Sequence, residues 1–433
     1  MTPGARLSQL IDLIGQIETT GKPADQVAFQ YFRTRRYMGS GDRRFINHHI
    51  FGFLRIRGTI IGLIEGYKIK PTIRLQVFTY FLKKTDMTLE DLESFCGDGP
   101  YSPTPLNQEE KSFLQYLPEI KEESLSLEDR LNIPAFLIEP LKTVFEEKFE
   151  GEMKSLLEEA PLDLRVNTLK ASKKEVMRLL ETQGVPFEET KPSPVGLRLK
   201  SRTYILESDA YKKGLIEIQD AGSQVLPFMC DVHPGMTVLD FCAGAGGKTL
   251  GLAALMQNKG KIFACDIDER RLKNAKDRLK RAGVHNTTLH LLESPGDKWL
   301  KRHKSFFDRI LLDVPCSGTG TWRRNPDMKW RITNEDIERL QSQQQNILEQ
   351  AEKLLKPGGL LIYATCSFLK EENEYQIEKF LESHPTYSLR PFREIWQNVG
   401  ETIFGDNRYY LRLTPATSKT DGFFLAILKK NET

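Results

Sequence analysis

From Leu7 to about Phe81, apolar residues such as Leu10, Leu13, Ile14 and Ile17 recur three and four positions apart, which predicts a run of amphipathic helices. The stretch from Gly97 to Leu127 breaks that pattern. It is rich in Pro, Ser, Asn and Glu, includes Gly99-Pro100-Tyr101-Ser102-Pro103-Thr104-Pro105, and reads as an exposed connection near a domain boundary. Beyond it the pattern predicts a helix around Ile138 to Glu159, a strand at Leu162 to Val166, a helix at Lys173 to Gln183, and short strands near Leu197 and Tyr204, together a small α+β domain. After Gln219 short apolar runs alternate with helical segments. Strands are expected at Val238 to Phe241, Ile262 to Asp266, Thr288 to Leu292, Ile310 to Val314 and Leu360 to Ala364, with helices such as Arg270 to Ala282 and Glu335 to Leu355 between them. This is the signature of a doubly wound parallel sheet. Tyr409 to Leu413 and Phe423 to Leu428 add a terminal antiparallel hairpin. The expected organisation is a helical domain over 1–130, a small α+β domain over 131–215 and an α/β domain over 216–433.

Composition leaves this picture intact. A chain of 433 residues exceeds one ordinary core, and 39% hydrophobic with 28% charged residues describes a globular protein without disorder or fibrous repeats. The apolar runs are short, and Asp12 interrupts the hydrophobic stretch of Met1 to Gly15, so neither a membrane span nor a secretory signal is read and a cytoplasmic protein, a monomer, is expected. The net charge of +3 hides an uneven distribution. Residues 1–80 carry 12 Lys and Arg against 5 Asp and Glu, whereas residues 81–160 carry 8 against 19. Basic segments suit a polyanion such as RNA, and they also suit solvated helix faces. In the first segment Arg33, Arg35, Arg36, Arg43, Arg44, Arg55 and Arg57 are interleaved with Tyr31, Phe32, Tyr37 and Phe45. That mixture fits base stacking, and equally a helical core with a charged exterior.

Candidate chemistry begins where the first α/β strand ends, at Asp240-Phe241-Cys242-Ala243-Gly244-Ala245-Gly246-Gly247-Lys248-Thr249. A glycine-rich turn leading into a helix brings backbone close to a ligand. A Walker A loop would need Gly at 242, which is Cys, and a dinucleotide fingerprint starting at Gly244 would need Gly at 249, which is Thr. The turn instead resembles the cofactor loop of a class I methyltransferase, a Rossmann-like fold. That resemblance implies S-adenosylmethionine along residues 242–248, a ribose-binding carboxylate at Asp266 on the end of the next strand, and Glu293 beside the adenine after the third. An Asp at such a strand end can also be simply a helix cap. The six cysteines form no C-x-x-C pair and the seven histidines no H-E-x-x-H, so no metal site is read. Two of those cysteines stand just past strand ends, where open α/β sheets bind ligands: Cys316 in Asp313-Val314-Pro315-Cys316-Ser317-Gly318-Thr319-Gly320 and Cys366 in Thr365-Cys366-Ser367.

These two contexts, with Arg323-Arg324-Asn325-Pro326-Asp327, Lys329-Trp330-Arg331, Leu164-Arg165-Val166-Asn167-Thr168, Gln219-Asp220-Ala221-Gly222-Ser223 and Asp421-Gly422-Phe423-Phe424, resemble the RsmB/Nop/Sun family of RNA cytosine-5 methyltransferases. Cytosine C5 is a poor nucleophile, and its methylation requires temporary addition of a thiolate at C6. The resemblance implies Cys366 as that nucleophile, Cys316 as the thiol that assists release, Asp313 beside the cytosine ring and cofactor, and Lys248 carried with the loop. It further implies an amino-terminal domain similar to the antitermination factor NusB, with Arg36, Ser40, Asp42, Arg43, Arg44 and Arg55 in its basic segment. Ribosomal RNA is the first expected substrate. The loop departs from the family's usual Cys-Ala-Ala-Pro-Gly-Gly-Lys, and losing the proline is expected to loosen it when cofactor-free. Three alternatives stay open on sequence: a transfer RNA substrate, a DNA cytosine-5 methyltransferase using the Pro-Cys thiol, and an inactive RNA-binding assembly factor.

Overall fold

The computed structural model describes residues 1–97, 99–201, 205–293, 297–396 and 408–432, and the strand expected near Tyr204 lies outside them. The chain divides into two compact units, Met1–Glu158 with Trp322–Ile332, and Glu159–Thr321 with Thr333–Thr433.

The first unit is helical. Pro3–Thr20, Ala24–Thr34, Ser40–Arg55, Arg57–Gly66 and Ile73–Lys84 follow the expected periodicity, and Leu10, Leu13 and Ile14 are fully buried. The stretch whose composition suggests an exposed connection is instead part of this unit. Asn107 and Glu110 form a capping box at the start of the helix Gln108–Tyr116, whose Phe113 and Leu114 enter the first core. Asn107 and Glu110 are therefore helix-capping groups, while residues 99–106 before them carry no helix or strand and are mostly exposed, as their composition suggests. The basic segment is divided in a similar way. Arg33, Arg36, Tyr37 and Arg44 are exposed, but Asp42 is buried and accepts from Arg6 Nε at 2.7 Å, and Arg55 is buried with its Nη2 donating to Arg323 O at 3.0 Å. Arg55 is thus a structural residue of this unit.

The return segment Trp322–Ile332 serves the helix Ser40–Arg55. The last carbonyls of a helix lack partners within it. Here Trp330 Nε1 donates to Leu54 O at 2.8 Å and Lys329 Nζ to Arg55 O at 2.9 Å, while Asp327 Oδ2 accepts from Ala24 N at 3.1 Å. Burial, with the Arg55 charge adding to it, holds the Lys329 ammonium well below the ordinary lysine value.

The second unit holds two sheets. Strands β1 (Leu162–Val166), β2 (Phe187–Glu189), β3 (Gly196–Leu199) and β4 (Ile216–Ile218) form an antiparallel sheet in the order β2-β3-β1-β4, with Val176 and Leu180 of the helix Lys173–Thr182 in its core. The larger sheet is built from β5 (Thr237–Asp240), β6 (Lys261–Asp266), β7 (Thr287–Leu291), β8 (Phe307–Asp313), β9 (Leu355–Thr365), β10 (Tyr387–Leu389), β11 (Tyr410–Leu413) and β12 (Phe423–Lys430). Its order is β10-β12-β9-β8-β5-β6-β7, with β11 on β12. Strands β5 to β9 are parallel, as the sequence predicts; β12 runs antiparallel to both β9 and β11, and β10 is an addition that the apolar pattern does not predict. The strand order reverses between β5 and β8, which opens a crevice at their carboxyl ends.

At that crevice β5 ends on Asp240, fully buried, whose Oδ2 accepts from Thr249 Oγ1 at 2.7 Å. Burial, with the neighbouring Asp313 and Asp266 charges adding to it, pushes this carboxyl up to about 7 against the partial relief from Thr249 and Lys248.

Two stability predictions result. Trp330→Phe keeps an aromatic ring but orphans Leu54 O, and is expected to cost about 1–2 kcal/mol in urea unfolding; an unchanged midpoint would contradict the capping role. For Asp240, the folded state keeps its proton up to about pH 7 while the unfolded chain releases it near 3.8, so this group's contribution is present at low pH and is lost as pH rises between those values. The stability of wild type relative to Asp240→Asn should therefore fall by up to about 1.4 kcal/mol per pH unit across that window and level off above it. Parallel thermal-melt profiles for the two proteins would refute the shift.

Candidate active site

The parallel pairing of β8 and β9 sets Asp313 opposite Ala364. Both strands are buried runs, Ile310, Leu311 and Leu312 against Leu361, Ile362 and Tyr363, so their ends are fixed by the core beneath them. Cys366 follows β9 directly and Cys316 lies three residues past β8, and their sulfurs stand 3.4 Å apart. The sequence expectation of two thiols at one sheet edge is met in this geometry. The hydrogen bond to the Cys366 sulfur, then burial, pushes the Cys316 thiol well above the usual range. Either sulfur of the pair can donate the hydrogen bond that joins them.

Lys248 and Asp313 form an ion pair at the same edge. Burial alone would depress the Lys248 ammonium, but the Asp313 carboxylate and the nearby Cys366 sulfur outweigh it and hold the group above the ordinary lysine value. A permanent positive charge thus sits beside the sulfur pair. Burial foremost pushes up the thiols of Cys242, Cys265 and Cys230 as well, and the fully buried Cys265 and Cys230 are packing residues.

The cofactor loop is tied at each step. Gly246, at φ +77°, starts the helix Gly247–Leu255 in a left-handed conformation, and its N–H donates to Ala243 O at 2.9 Å. Gly244 N donates to Asp266 Oδ2 at 2.7 Å and Asp268 N to Asp266 Oδ1 at 2.8 Å. Each Asp266 oxygen keeps a second acceptor direction. Glu293 follows β7 with its side chain exposed, and its N–H donates to Asp297 Oδ2 at 3.3 Å.

This arrangement fits S-adenosylmethionine. Nothing within 4 Å would meet a Cβ at Gly244, so the loop backbone offers an open face, and Asp266 stands at the neighbouring strand end, where it would accept ribose hydroxyls of the bound group. Asp266 and Asp313 stand with one ammonium, Lys248, beside a third acid, Asp240, that burial keeps largely protonated, and the remaining negative charge favours a cationic donor over an anionic nucleotide.

Several residues of the site carry no signal of their role in the sequence. Arg165 of β1 donates through Nη1 to Gly247 O and to Gln219 Oε1, both at 2.6 Å, and Arg278 Nη1 donates to Ala245 O at 2.8 Å. The segments containing Arg165 and Gln219 stand out by resemblance alone, without a role. Gly320 N donates to Cys366 O at 2.9 Å, and Gly320 O accepts from Gly422 N at 2.8 Å, so the terminal Asp-Gly-Phe-Phe segment stitches the two cysteine loops together. Glu372 is fully buried next to both loops. Its place among Glu371, Asn373 and Glu374 suggests a solvated polar turn, and no spacing separates the one acid that turns in toward the cysteine loops.

Comparison with known proteins agrees with this geometry. The sequence profile described as 16S rRNA methyltransferase RsmB/F matches residues 227–429, and that of an RsmF/B-like, ferredoxin-like domain matches residues 133–205. The chain is 32% identical over 418 residues to a protein of Synechocystis sp. named "Probable ribosomal RNA small subunit methyltransferase B", covering 90% of this chain and 91% of that one. The crystal structure of PH0851 matches with a TM-score of 0.77 at 30% identity, covering 99% of each chain. That of a methyltransferase homolog protein from Pyrococcus horikoshii matches with a TM-score of 0.60 at 34% identity, covering 70% of this chain and 96% of the other. The chain belongs to the RsmB/F family of 16S rRNA methyltransferases, for which S-adenosylmethionine is the expected methyl donor.

Proposed function

We propose that this protein methylates C5 of a cytosine in ribosomal RNA through a covalent adduct between Cys366 and C6. The observation that carries the reading is the pair of sulfurs 3.4 Å apart beside Lys248 and Asp313. In this reading Cys366, directly at the end of β9 and within reach of the Lys248 charge, is the sulfur that attacks after giving its proton to water, and the Lys248 ammonium offsets the negative charge of the thiolate. That thiolate forms a bond to C6, and the C5=C6 electron pair makes C5 nucleophilic. Addition of the thiolate puts negative charge on the ring, which the Lys248 ammonium offsets, while Asp313, fixed by Lys248, is placed to accept a hydrogen bond from the cytosine amino group. S-adenosylmethionine, when bound on the loop, supplies an electrophilic methyl group to C5. Loss of the C5 proton to water then re-forms C5=C6 and expels Cys366 as thiolate, and the Cys316 thiol donates a hydrogen bond to that leaving sulfur. Lacking this donor, the adduct persists.

Exposed Arg33, Arg36 and Arg44 with exposed Tyr37 make the helical unit the RNA-holding part of the proposal. Domain roles follow: RNA capture by the helical residues of 1–130, a supporting role for the small α+β region 131–215, and catalysis by 216–433.

With RNA substrate, Cys366→Ala is expected to abolish methylation, and Cys316→Ala to accumulate a protein–RNA complex that survives denaturing electrophoresis. The reverse pattern would assign the Pro-Cys thiol as nucleophile, as in a DNA cytosine-5 methyltransferase, and overturn the reading. Bisulfite sequencing of RNA from cells with and without the gene tests the substrate; disappearance of a methylated cytosine from transfer RNA but not ribosomal RNA would overturn that part. Charge reversal at Arg36 and Arg44 should weaken RNA binding and reduce the slope of log affinity against log salt by about 0.7 for each phosphate no longer neutralised. An unchanged slope would remove these residues from the interface.

A further inference from the structure

We infer that Glu372 is a positioning residue that sets the geometry of the two thiols, an inference that rests on the covalent reading above. Its carboxylate is fully buried, and its partners among the described residues are hydrogen-bond donors rather than a lysine or arginine. An acid in such a place is costly unless hydrogen bonds satisfy it. Those bonds go to the first cysteine loop and a neighbouring helix. Oε1 accepts from Ser317 N at 2.8 Å and Gln344 Nε2 at 3.0 Å, and Oε2 accepts from Ser317 Oγ at 2.5 Å. Gln344 Nε2 also donates to Pro315 O at 2.9 Å, so the residues on both sides of Cys316 are gripped through one carboxylate.

The network reaches the second loop by proton direction. The Ser317 hydroxyl donates its single proton to Glu372 Oε2. Ser317 Oγ must then accept from Ser367 Oγ, 3.0 Å away, and Ser367 Oγ must accept from Thr319 Oγ1 at 3.3 Å and Leu369 N at 3.1 Å. Ser367 directly follows Cys366. One buried carboxylate therefore polarises a chain of hydroxyls running from Thr319 through Ser367 to Ser317, and fixes the residue after each cysteine. The Glu372 backbone is itself anchored, its carbonyl accepting from Tyr363 Oη at 2.6 Å on β9. Asn373 locks the same turn, accepting from Thr365 Oγ1 at 2.6 Å and donating to Ser367 O at 2.9 Å.

The step most sensitive to this geometry is release, in which the C6–Sγ bond breaks, Cys366 leaves as thiolate, the C5 proton goes to water and Cys316 must point its S–H at the departing sulfur. Glu372→Gln keeps volume but places an amide donor against Ser317 Oγ–H, which reverses or breaks the hydroxyl chain. Ser317→Ala breaks the same chain from the other end and leaves the carboxylate in place. Both variants are expected to remain folded at assay temperature with a modestly lowered melting point and to keep KM for S-adenosylmethionine, while kcat falls about ten- to a hundredfold and the denaturant-resistant protein–RNA complex accumulates as in Cys316→Ala. Glu372→Asp should recover part of kcat.

The control is Cys316→Ala assayed in parallel. If Cys316→Ala traps a complex while folded Glu372→Gln and Ser317→Ala turn over and release product as wild type, the positioning role is overturned and the covalent reading stands. If neither Cys316→Ala nor the Glu372 variants ever yield a complex, and Cys366→Ala still methylates, the covalent reading itself has failed. Loss of activity in step with loss of melting temperature in both variants would assign Glu372 to folding alone and overturn the inference.

Discussion

The parallel pairing of β8 with β9 is the constraint on which the rest of the site depends. A one-residue slip in a strand buried on both faces would exchange those faces, moving side chains shaped for one core into the other. Leu311 and Leu312 on one strand and Ile362 and Tyr363 on the other are fully buried, so the Asp313–Ala364 register is held by packing over the whole pair. Two cysteines fifty positions apart in sequence then meet at hydrogen-bond distance. No local feature of either loop would bring them together. The glycine and serine residues after each thiol refine this meeting through Gly320, Ser317 and Ser367, but they act on loops already delivered to the same place.

Electrostatics builds on that placement. Asp240, Asp266 and Asp313 end three strands of one sheet, and three ionised carboxylates at one crevice would repel one another. The structure answers in two ways. Asp313 is paired with Lys248, and Asp240 is buried deeply enough to hold its proton near neutrality. What remains is a mildly negative crevice with one ammonium beside the sulfur pair. In the proposed mechanism a sulfonium donor and a thiolate nucleophile place opposite demands on local potential, and a lysine paired with Asp313 and close to Cys366 would meet both.

Much of this is legible in the sequence because it depends on local pattern. Buried parallel strands are apolar runs, and β5 to β9 appear as such, each within a few residues of its observed ends. The cofactor turn and both cysteines are marked by their positions after those runs. What stays hidden depends on partners distant in sequence. Asn107 and Glu110 look like linker composition until they are seen capping a helix, Arg55 looks like an RNA contact until Arg323 occupies it, and Trp330 and Lys329 serve carbonyls almost three hundred positions earlier. Glu372 is the sharpest case. Four polar residues in a row give no periodicity, and only the tertiary fold determines which acid turns in toward the cysteine loops.

The cofactor loop shows how a rigidity absent from local sequence can be supplied by the fold. Proline restricts a loop through its own backbone and chiefly by narrowing the unfolded ensemble. Where related loops carry it, this chain has Ala245, flanked by Gly244 and Gly246. The carbonyls of Ala245 and Gly247 are instead held by Arg278 and Arg165, and the Gly244 N–H by Asp266. Arg165 is deeply buried, and burial lowers its guanidinium to about 10 against the pull of Glu217, a cost the protein bears for a donor that reaches Gly247 and Gln219 together. Because Arg165 lies on β1, the order of the cofactor loop depends on the small antiparallel sheet. That dependence is a physical reason for residues Glu159–Thr321 to fall within one compact unit that carries β1 to β8 of both sheets. A loop without its proline is thereby held by three long-range hydrogen bonds, one of them from the neighbouring small sheet.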